Sequence, residues 1–220
     1  MDSPKLTRQL CESSMNSKIS NRPVGVLAIQ GDFAAHARAL QRIGVNAIEV
    51  RRAEGLNATE ALIIPGGEST TMLKFIEEER LAEPIVAFAR QGRPILGTCA
   101  GAILLAREVY NPRQASLGLI DIGVERNGYG RQVDSFIAGV ETDVGAGPLE
   151  AVFIRAPKIK RVGPEVETLA TLRGEPVLVR QANILAATFH PELTGDDRIH
   201  CLLVSMFCGA TEARLTAITL

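Results

Sequence analysis

The sequence is short of the features that mark several classes of protein. It has no tryptophan, and aromatic residues make up 4% of the chain. Its 24 basic and 25 acidic residues leave a net charge of −1, which provides no global basic field for nucleic acid. No apolar run approaches the length of a membrane span. We therefore expect neither nucleic acid nor a membrane as a partner.

Cysteine is also scarce, and its spacing fits no common pattern. The four residues form no CxxC pair and have no zinc-like spacing with the three histidines. These cysteines are Cys11, Cys99, Cys201 and Cys208. A disulfide framework is not expected at this length and spacing, so we predict a reducing, cytoplasmic location.

The remaining composition is that of a globular protein. The 220 residues, of which 46% are hydrophobic, suit one α/β domain. Residues 1–22 are polar, lack periodicity and contain no apolar stretch typical of a secretory signal. We predict a flexible N-terminal extension over 1–22 and a single domain over 23–220, because no repeat or linker divides the rest.

The order of predicted elements indicates the fold class. Apolar strands are predicted at 25–31, 46–52, 61–67 and 94–99, and helical patterns follow the first, third and fourth, the last of them over 100–108. The second half contains several strands with hairpin-like turns, and a last helix is predicted from about Asp196 to Phe207. The pattern predicts a doubly wound, mostly parallel sheet of flavodoxin-like type, with helices on both faces and antiparallel strands in its second half.

One strand ends in Gly-Thr-Cys-Ala-Gly, where Cys99 lies between Gly97 and Gly101. Gly-x-Cys-x-Gly is the cysteine form of a nucleophile elbow, a sharp turn from strand to helix. The helix N-terminus favours a thiolate, so we expect a thiol more acidic than ordinary cysteine. The backbone N–H of Ala100 would face a developing oxyanion. The alternative is a buried structural cysteine, so whether Cys99 is catalytic depends on which side chains lie near its thiol.

Two further segments supply such partners. His190 follows an apolar strand, and Glu192 lies two residues on, on the same side of an extended chain. Glu192 would then fix the tautomer of His190, whose other nitrogen faces the thiol. In "IIPGGEST", Gly66 and Gly67 allow close approach of a ligand, and the N–H of Gly67 would complete the oxyanion hole. The alternative for this loop is a glycine turn before a helix capped by Ser69.

Together, these segments resemble the class I, triad-type glutamine amidotransferases. The segments "GVLAIQGDFAAH", "IIPGGEST", "GTCAGAILLA", "RNGYGRQVDSF", "FIRAP" and "ATFHPELTGD" are similar to the glutaminase subunits of pyridoxal 5′-phosphate (PLP) synthases. "PGGEST" and "RNGYGRQ" are the specific parts. The resemblance extends from about Gly25 to Phe207.

The resemblance implies a reaction and a set of residues. Glutamine is hydrolysed to glutamate and ammonia by the nucleophile Cys99, the acid/base His190 and the orienting Glu192. The ammonia passes to a separate synthase subunit, in a large hetero-oligomer that makes PLP from a pentose phosphate and a triose phosphate. No cofactor and no metal is implied in this chain. The implied glutamine-binding residues are Gly66, Gly67, Glu68, Arg126, Ile154 and Arg155.

Two other functions are weighed against this one. Another amidotransferase of the same fold, for example one serving imidazole-glycerol phosphate synthesis, is disfavoured by "PGGEST" and "RNGYGRQ". A catalytically idle scaffolding subunit is disfavoured because all three triad members are present.

Outside the triad, His36 is predicted to lie on a helix surface or an interface, and His200 is predicted to pack in the last helix.

Overall fold

The computed structural model describes residues 23–128 and 135–218. The predicted extension over 1–22 and part of the "RNGYGRQ" motif lie outside these residues. Within the described residues, no helix is both long enough and apolar enough to cross a membrane.

The first half of the chain alternates strands and helices, as predicted. Each predicted strand forms but ends earlier than its apolar run, because the last residues of each run turn toward the following loop. The strands are β1 (Val24–Leu27), β2 (Ala47–Val50), β3 (Ala61–Ile64) and β4 (Ile95–Thr98). The helices are α1 (Phe33–Arg42), α2 (Ala53–Asn57), α3 (Ser69–Glu78), α4 (Ala82–Arg90) and α5 (Ala100–Leu105).

The second half contains mainly strands, and the chain closes with a helix. The strands are β5 (Ala106–Tyr110), β6 (Ile120–Glu125), β7 (Phe136–Thr142), β8 (Leu149–Phe153), β9 (Lys158–Val162), β10 (Glu167–Leu172), β11 (Glu175–Gln181) and β12 (Ile184–Ala187). A short 3-10 helix (Pro191–Leu193) follows β12, and the last helix is α6 (Arg198–Ile218).

Nine of these strands form one sheet in the order β2-β1-β3-β4-β12-β11-β10-β7-β8. The first five are parallel to one another, and the remaining four extend the sheet with antiparallel pairings. Strands β5, β6 and β9 form a separate small sheet. The order of the parallel part is flavodoxin-like, so the predicted fold class is confirmed.

Helices cover both faces of the parallel strands. Strands β1, β3, β4 and β12 are buried along their whole length, as expected when neither face meets water. On one face they pack against α3, α4 and α5. On the other face they pack against α1 and α6. The carboxyl ends of β3, β4 and β12 are therefore neighbours at one edge of a rigid, buried core.

Local details differ from the sequence prediction at three points. The helix predicted through Glu108 ends at Leu105, and the next residues form β5 because they pair with β6. The cap of α3 is Glu68 rather than Ser69. Cys201 is disulfide-bonded, contrary to the expectation of reduced cysteines, whereas Cys99 is a free thiol.

Candidate active site

Cys99 occupies a strained turn between β4 and α5. Its backbone angles are φ 49° and ψ −103°, and the residue is 7% exposed. Its N–H donates to the Ala187 carbonyl oxygen of β12 at 2.8 Å, which anchors the turn. A left-handed backbone at a non-glycine residue costs about 1–3 kcal/mol and persists mainly at functional sites. The geometry is that of the predicted nucleophile elbow.

The two flanking glycines are required by packing. A Cβ atom at Gly101 would lie 2.0 Å from the Ile64 carbonyl oxygen of β3. A Cβ atom at Gly97 would lie 2.6 Å from the Gly101 carbonyl carbon. Both distances are too short for real atoms, so the close packing of α5 on β3 and β4 depends on glycine at both positions.

His190 and Glu192 meet directly behind the elbow. The His190 Nδ1 atom lies 2.7 Å from Glu192 Oε1, and both residues are buried. The backbone N–H of His190 donates to the Val152 carbonyl oxygen of β8 at 2.8 Å. The predicted contact therefore exists, but not through an extended chain, because residues Pro191–Leu193 form a 3-10 turn.

The electrostatics of His190 favour its charged form. Burial lowers the pKa of His190, but hydrogen bonds to Cys99 and Glu192 outweigh that effect and raise the pKa to about 10. The Cys99 thiol also points at the Ile154 carbonyl oxygen, at 3.9 Å. Cys99, His190 and Glu192 thus form one connected set of a thiol, an imidazole and a carboxylate, which is the order that a nucleophile, a base and an orienting group would need.

The "PGGEST" loop closes over this set. A Cβ atom at Gly66 would lie 2.3 Å from His190 Cε1, so only glycine lets the loop rest on the imidazole. At Gly67 a Cβ atom would lie 2.4 Å from Gln30 Oε1. The same Gln30 oxygen accepts from the Glu68 N–H at 2.9 Å. Gln30 therefore fixes the loop; the sequence offered only its place at the end of the first apolar strand.

Glu68 has a structural role in this loop. It caps α3 by accepting from the N–H groups of Thr70 and Thr71, at 3.1 and 2.7 Å. Partial burial raises the pKa of Glu68, but hydrogen bonds from Thr71 and Thr70 lower it to about 2. Arg126 donates to Glu68 Oε1 at 3.2 Å. These two predicted glutamine-binding residues are thus paired with each other.

The other predicted residues border the same site. Ile154 is partly buried and contacts Cys99 through its carbonyl oxygen. Arg155 is exposed, with φ at 44°, and has no ion-pair partner among the residues the structure describes. Ala100 is 1% exposed and begins α5 directly after Cys99. The structure therefore brings the predicted residues to one edge of the sheet, with Arg155 at the solvent side.

Two further histidines, His36 and His200, lie behind Glu192. His36 is 0% exposed, so the prediction of a helix surface or interface is wrong. Its ring lies 3.3 Å from Glu192 and 3.0 Å from His200. His200 is buried, as predicted. Nothing local in the sequence indicates these contacts, because His36 and His200 are 164 positions apart.

One group of side chains near the triad has the composition of a metal site. Ligand atoms of Asp32, His190 and Glu192 all lie within 4.8 Å of one another. However, His190 Nδ1 and Glu192 Oε1 already hydrogen-bond to each other, and a metal ion would have to replace that bond. We assign no metal to this group.

Comparison with known proteins places the chain among glutamine amidotransferases. The model of the SNO glutamine amidotransferase family matches residues 26–209. The chain is 54% identical over 190 residues to the pyridoxal 5′-phosphate synthase subunit PdxT of Solibacter usitatus, covering 84% of this chain and 98% of the relative. It is 50% identical over 184 residues to the PdxT subunit of Thermotoga maritima, covering 83% and 98%.

Solved structures agree on the fold. A crystal structure of a glutamine amidotransferase matches with a TM-score of 0.80 and 48% identity, covering 84% of this chain and 98% of that chain. The structure of PurLQS from Thermotoga maritima matches with a TM-score of 0.65 at 15% identity, covering 83% and 97%, which shows a shared fold alone.

Proposed function

The chain belongs to the SNO glutamine amidotransferase family, and from that premise we propose that it is the glutaminase subunit of a PLP synthase. It hydrolyses L-glutamine to L-glutamate and ammonia and delivers the ammonia to a synthase subunit. The observation that carries the proposal is the strained Cys99 elbow with the hydrogen-bonded His190–Glu192 pair directly behind it. The domain assignment over 23–220 is part of the same proposal.

The first half of the reaction forms a thioester. The Cys99 thiolate attacks the side-chain amide carbon of glutamine, and the carbonyl oxygen becomes an oxyanion held by the N–H groups of Gly67 and Ala100. His190, whose pKa is raised to about 10, carries the proton that the departing amine needs. The C–N bond breaks, ammonia leaves, and the γ-glutamyl group remains on sulfur.

The second half releases glutamate. Neutral His190 takes a proton from water, and the hydroxyl oxygen attacks the thioester carbon. The C–S bond breaks, the thiolate is restored and His190 is charged again. The sum is glutamine and water giving glutamate and ammonia. Glu192 holds the imidazole in the tautomer that both steps need.

The glutamine itself binds in front of the elbow. Gly66, Gly67 and Glu68 form the wall on one side, and Ile154 lies opposite, next to the thiol. A zwitterionic amino acid needs a cation at its carboxylate. Arg155 has no ion-pair partner among the described residues, whereas Arg126 is already paired with Glu68. We therefore assign the carboxylate to Arg155 and the positioning of Glu68 to Arg126.

The partner and the location complete the proposal. The similar proteins are subunits of PLP synthase, so we propose a hetero-oligomer in which ammonia passes directly to the synthase subunit. This chain itself uses no cofactor. Because the nucleophile must remain a reduced thiol, as Cys99 is, we propose a cytoplasmic location.

The test is reconstitution with the synthase subunit. The mixture receives a pentose phosphate, a triose phosphate and glutamine, and PLP is measured by its absorbance while glutamate is measured separately. We expect PLP to form from glutamine only when this chain is present, with one glutamate released for each PLP. Glutamate release without any gain in PLP would reject the assignment to PLP synthase but keep the glutaminase.

A further inference from the structure

All three histidines of the chain lie in one buried network. His190 belongs to the triad. The other two, His36 on α1 and His200 on α6, are fully buried behind Glu192. The reaction described above uses only His190. Burial of two further polar rings is costly unless they make hydrogen bonds, so their contacts indicate what they do.

The two rings form a chain that ends at the triad. His200 Nε2 lies 3.0 Å from His36 Nδ1. His36 Nε2 lies 3.1 Å from Thr98 Oγ1 and 3.3 Å from Glu192 Oε2. Thr98 directly precedes the nucleophile in β4. The chain therefore contacts both the orienting carboxylate and the strand that carries Cys99.

Glu192 lacks a second hydrogen bond of good geometry. Its side chain is fully excluded from solvent, and Oε1 is used by His190. Its other oxygen, Oε2, has no hydrogen-bond partner among the described residues. A buried carboxylate with one oxygen that accepts no hydrogen bond destabilises the folded protein, because the oxygen has lost its contacts with water. His36 Nε2, at 3.3 Å, lies where a proton would relieve that cost.

Both rings are neutral, so each carries a single N–H. Burial lowers the pKa of His36 well below its ordinary value, and the nearby His200 and His190 add to this. Burial also lowers the pKa of His200 to about 4, with Asp197 opposing the shift and Arg42 reinforcing it. The rings therefore act on Glu192 as oriented dipoles rather than as charges.

Only one arrangement of the protons avoids an orphaned donor. With the proton of His36 on Nε2, that N–H donates to Thr98 Oγ1 and lies beside Glu192 Oε2, and Nδ1 accepts from the Nε2–H of His200. His200 Nδ1, which has no partner in the described residues, is then merely an unfilled acceptor. In the reverse arrangement His200 Nδ1 would hold a buried N–H without an acceptor, and a lone pair of His36 would face the carboxylate.

We propose that His200 and His36 form a directional hydrogen-bond chain, in which His200 donates to His36 and the Nε2–H of His36, bonded to Thr98 Oγ1, places its positive end beside Glu192 Oε2. The chain holds Glu192 ionised and aimed at His190. His36 is thus a positioning residue for the triad, and this role rests on the glutaminase function proposed above.

The first test reads the protons directly. The full chain is labelled with ¹⁵N-histidine, and long-range ¹H–¹⁵N spectra are recorded at neutral pH. With only three histidines, His36→Gln and His200→Gln variants assign every signal. We expect His36 and His200 each to carry a proton on Nε2 alone. A proton on Nδ1 of His36 would overturn the proposal. The spectra need no enzymatic activity, so this outcome is separate from failure of the proposed function.

The second test separates positioning from packing. His36→Leu removes the donor, whereas His36→Gln places an amide N–H near the position of Nε2. We expect kcat for glutamine in the complex with the synthase subunit to fall about 10-fold or more in His36→Leu, with KM little changed. His36→Gln should recover most of that loss. Equal kcat in the two variants would contradict a donor role.

The matched control is Leu40→Val, one turn further along the same buried face of α1. It shrinks the core without removing a donor, so we expect its kcat to stay near that of the parent. If Leu40→Val lowered kcat as much as His36→Leu, the effect of His36 would be packing alone. If His36→Leu does not fold, the histidine spectra of the parent chain still decide the proposal.

Discussion

At the scale of single residues, the site depends on the atoms that are missing at Gly66. The loop rests on the imidazole of His190, and a Cβ atom would lie 2.3 Å from its Cε1. The imidazole cannot move away easily, because His190 is hydrogen-bonded through its ring to Glu192 and through its backbone N–H to the Val152 carbonyl oxygen. Glycine at this position therefore sets the position of the His190 imidazole.

Gly66→Ala should impair catalysis more than folding. The added methyl group must displace the His190 ring, and a displacement of about 1 Å in a catalytic group can cost on the order of 100-fold in rate. We expect such a loss in kcat for glutamine. The matched control is Gly195→Ala, where a Cβ atom meets nothing within 4 Å. Turnover by Gly66→Ala close to that of Gly195→Ala would refute this account of the loop.

The turn and contact geometry of single residues was predictable from the sequence where the signal is local. The Gly-x-Cys-x-Gly turn and the spacing of His190 and Glu192 place chemistry within a few positions. His36 failed because its partners, Thr98 and His200, are 62 and 164 positions away. A single polar residue on a helix resembles a surface residue until the other helix that covers it is known. Gln30 was missed because its partner, Glu68, is 38 positions away.

At the scale of elements, the close packing of α5 against β3 shapes the elbow. The helix has six residues and all of them are buried. Its second residue, Gly101, faces the Ile64 carbonyl oxygen with no room for a side chain. The contact fixes the direction in which α5 leaves Cys99, and therefore the position of the Ala100 N–H.

Gly101→Ala should destabilise the fold itself. Its Cβ atom would lie 2.0 Å from backbone, which cannot move as a flexible side chain could. Overpacking of a core typically costs about 1–3 kcal/mol, and we expect at least that loss in the free energy of unfolding. Urea unfolding measures it, with Gly195→Ala as the reference. Equal midpoints for the two variants would show that α5 is not packed as described.

Element boundaries were only partly predictable. The helix after Cys99 was expected to continue through Glu108, and the apolar pattern alone supports that interpretation. Instead, pairing with β6 turns the chain into β5 at Ala106. The alternative that Ser69 caps α3 was also wrong, because the Glu68 carboxylate accepts from the two backbone N–H groups at the start of the helix. Tertiary pairing and side-chain reach decided both cases.

At the scale of the whole molecule, the sheet explains why the site is where it is. Five parallel strands carry their loops to one edge, and the antiparallel extension supplies β8, whose Val152 anchors His190. The fold class was predictable because fully buried parallel strands have continuous apolar runs. The order of the antiparallel strands was not, since their register depends on long-range pairing.

The histidine network should make stability depend on pH in two opposite directions. His36 and His200 have lowered pKa values, so below about pH 6.5 the unfolded chain binds protons that the folded chain does not, and stability falls. His190 has a raised pKa of about 10, so its contribution is complete below about pH 6.5 and is lost as the pH rises toward 10.

Urea unfolding across this range tests the expectation. Between pH 6.5 and about 4.5, before ordinary carboxylates titrate, we expect the free energy of unfolding to decrease. The variant His200→Leu should show a shallower decrease, and His190→Gln should lose the alkaline decrease. A parent protein whose stability rose on acidification through this window would contradict the description of His36 and His200 as buried and neutral.

The central claim is that Cys99 attacks glutamine and that the ammonia it releases feeds PLP synthesis. The most direct measurement compares the parent chain with Cys99→Ala in the reconstituted synthase, with either glutamine or an ammonium salt as the nitrogen source. We predict that Cys99→Ala abolishes PLP formation from glutamine, while the ammonium salt restores it to the parent rate. Continued use of glutamine by Cys99→Ala would contradict the account.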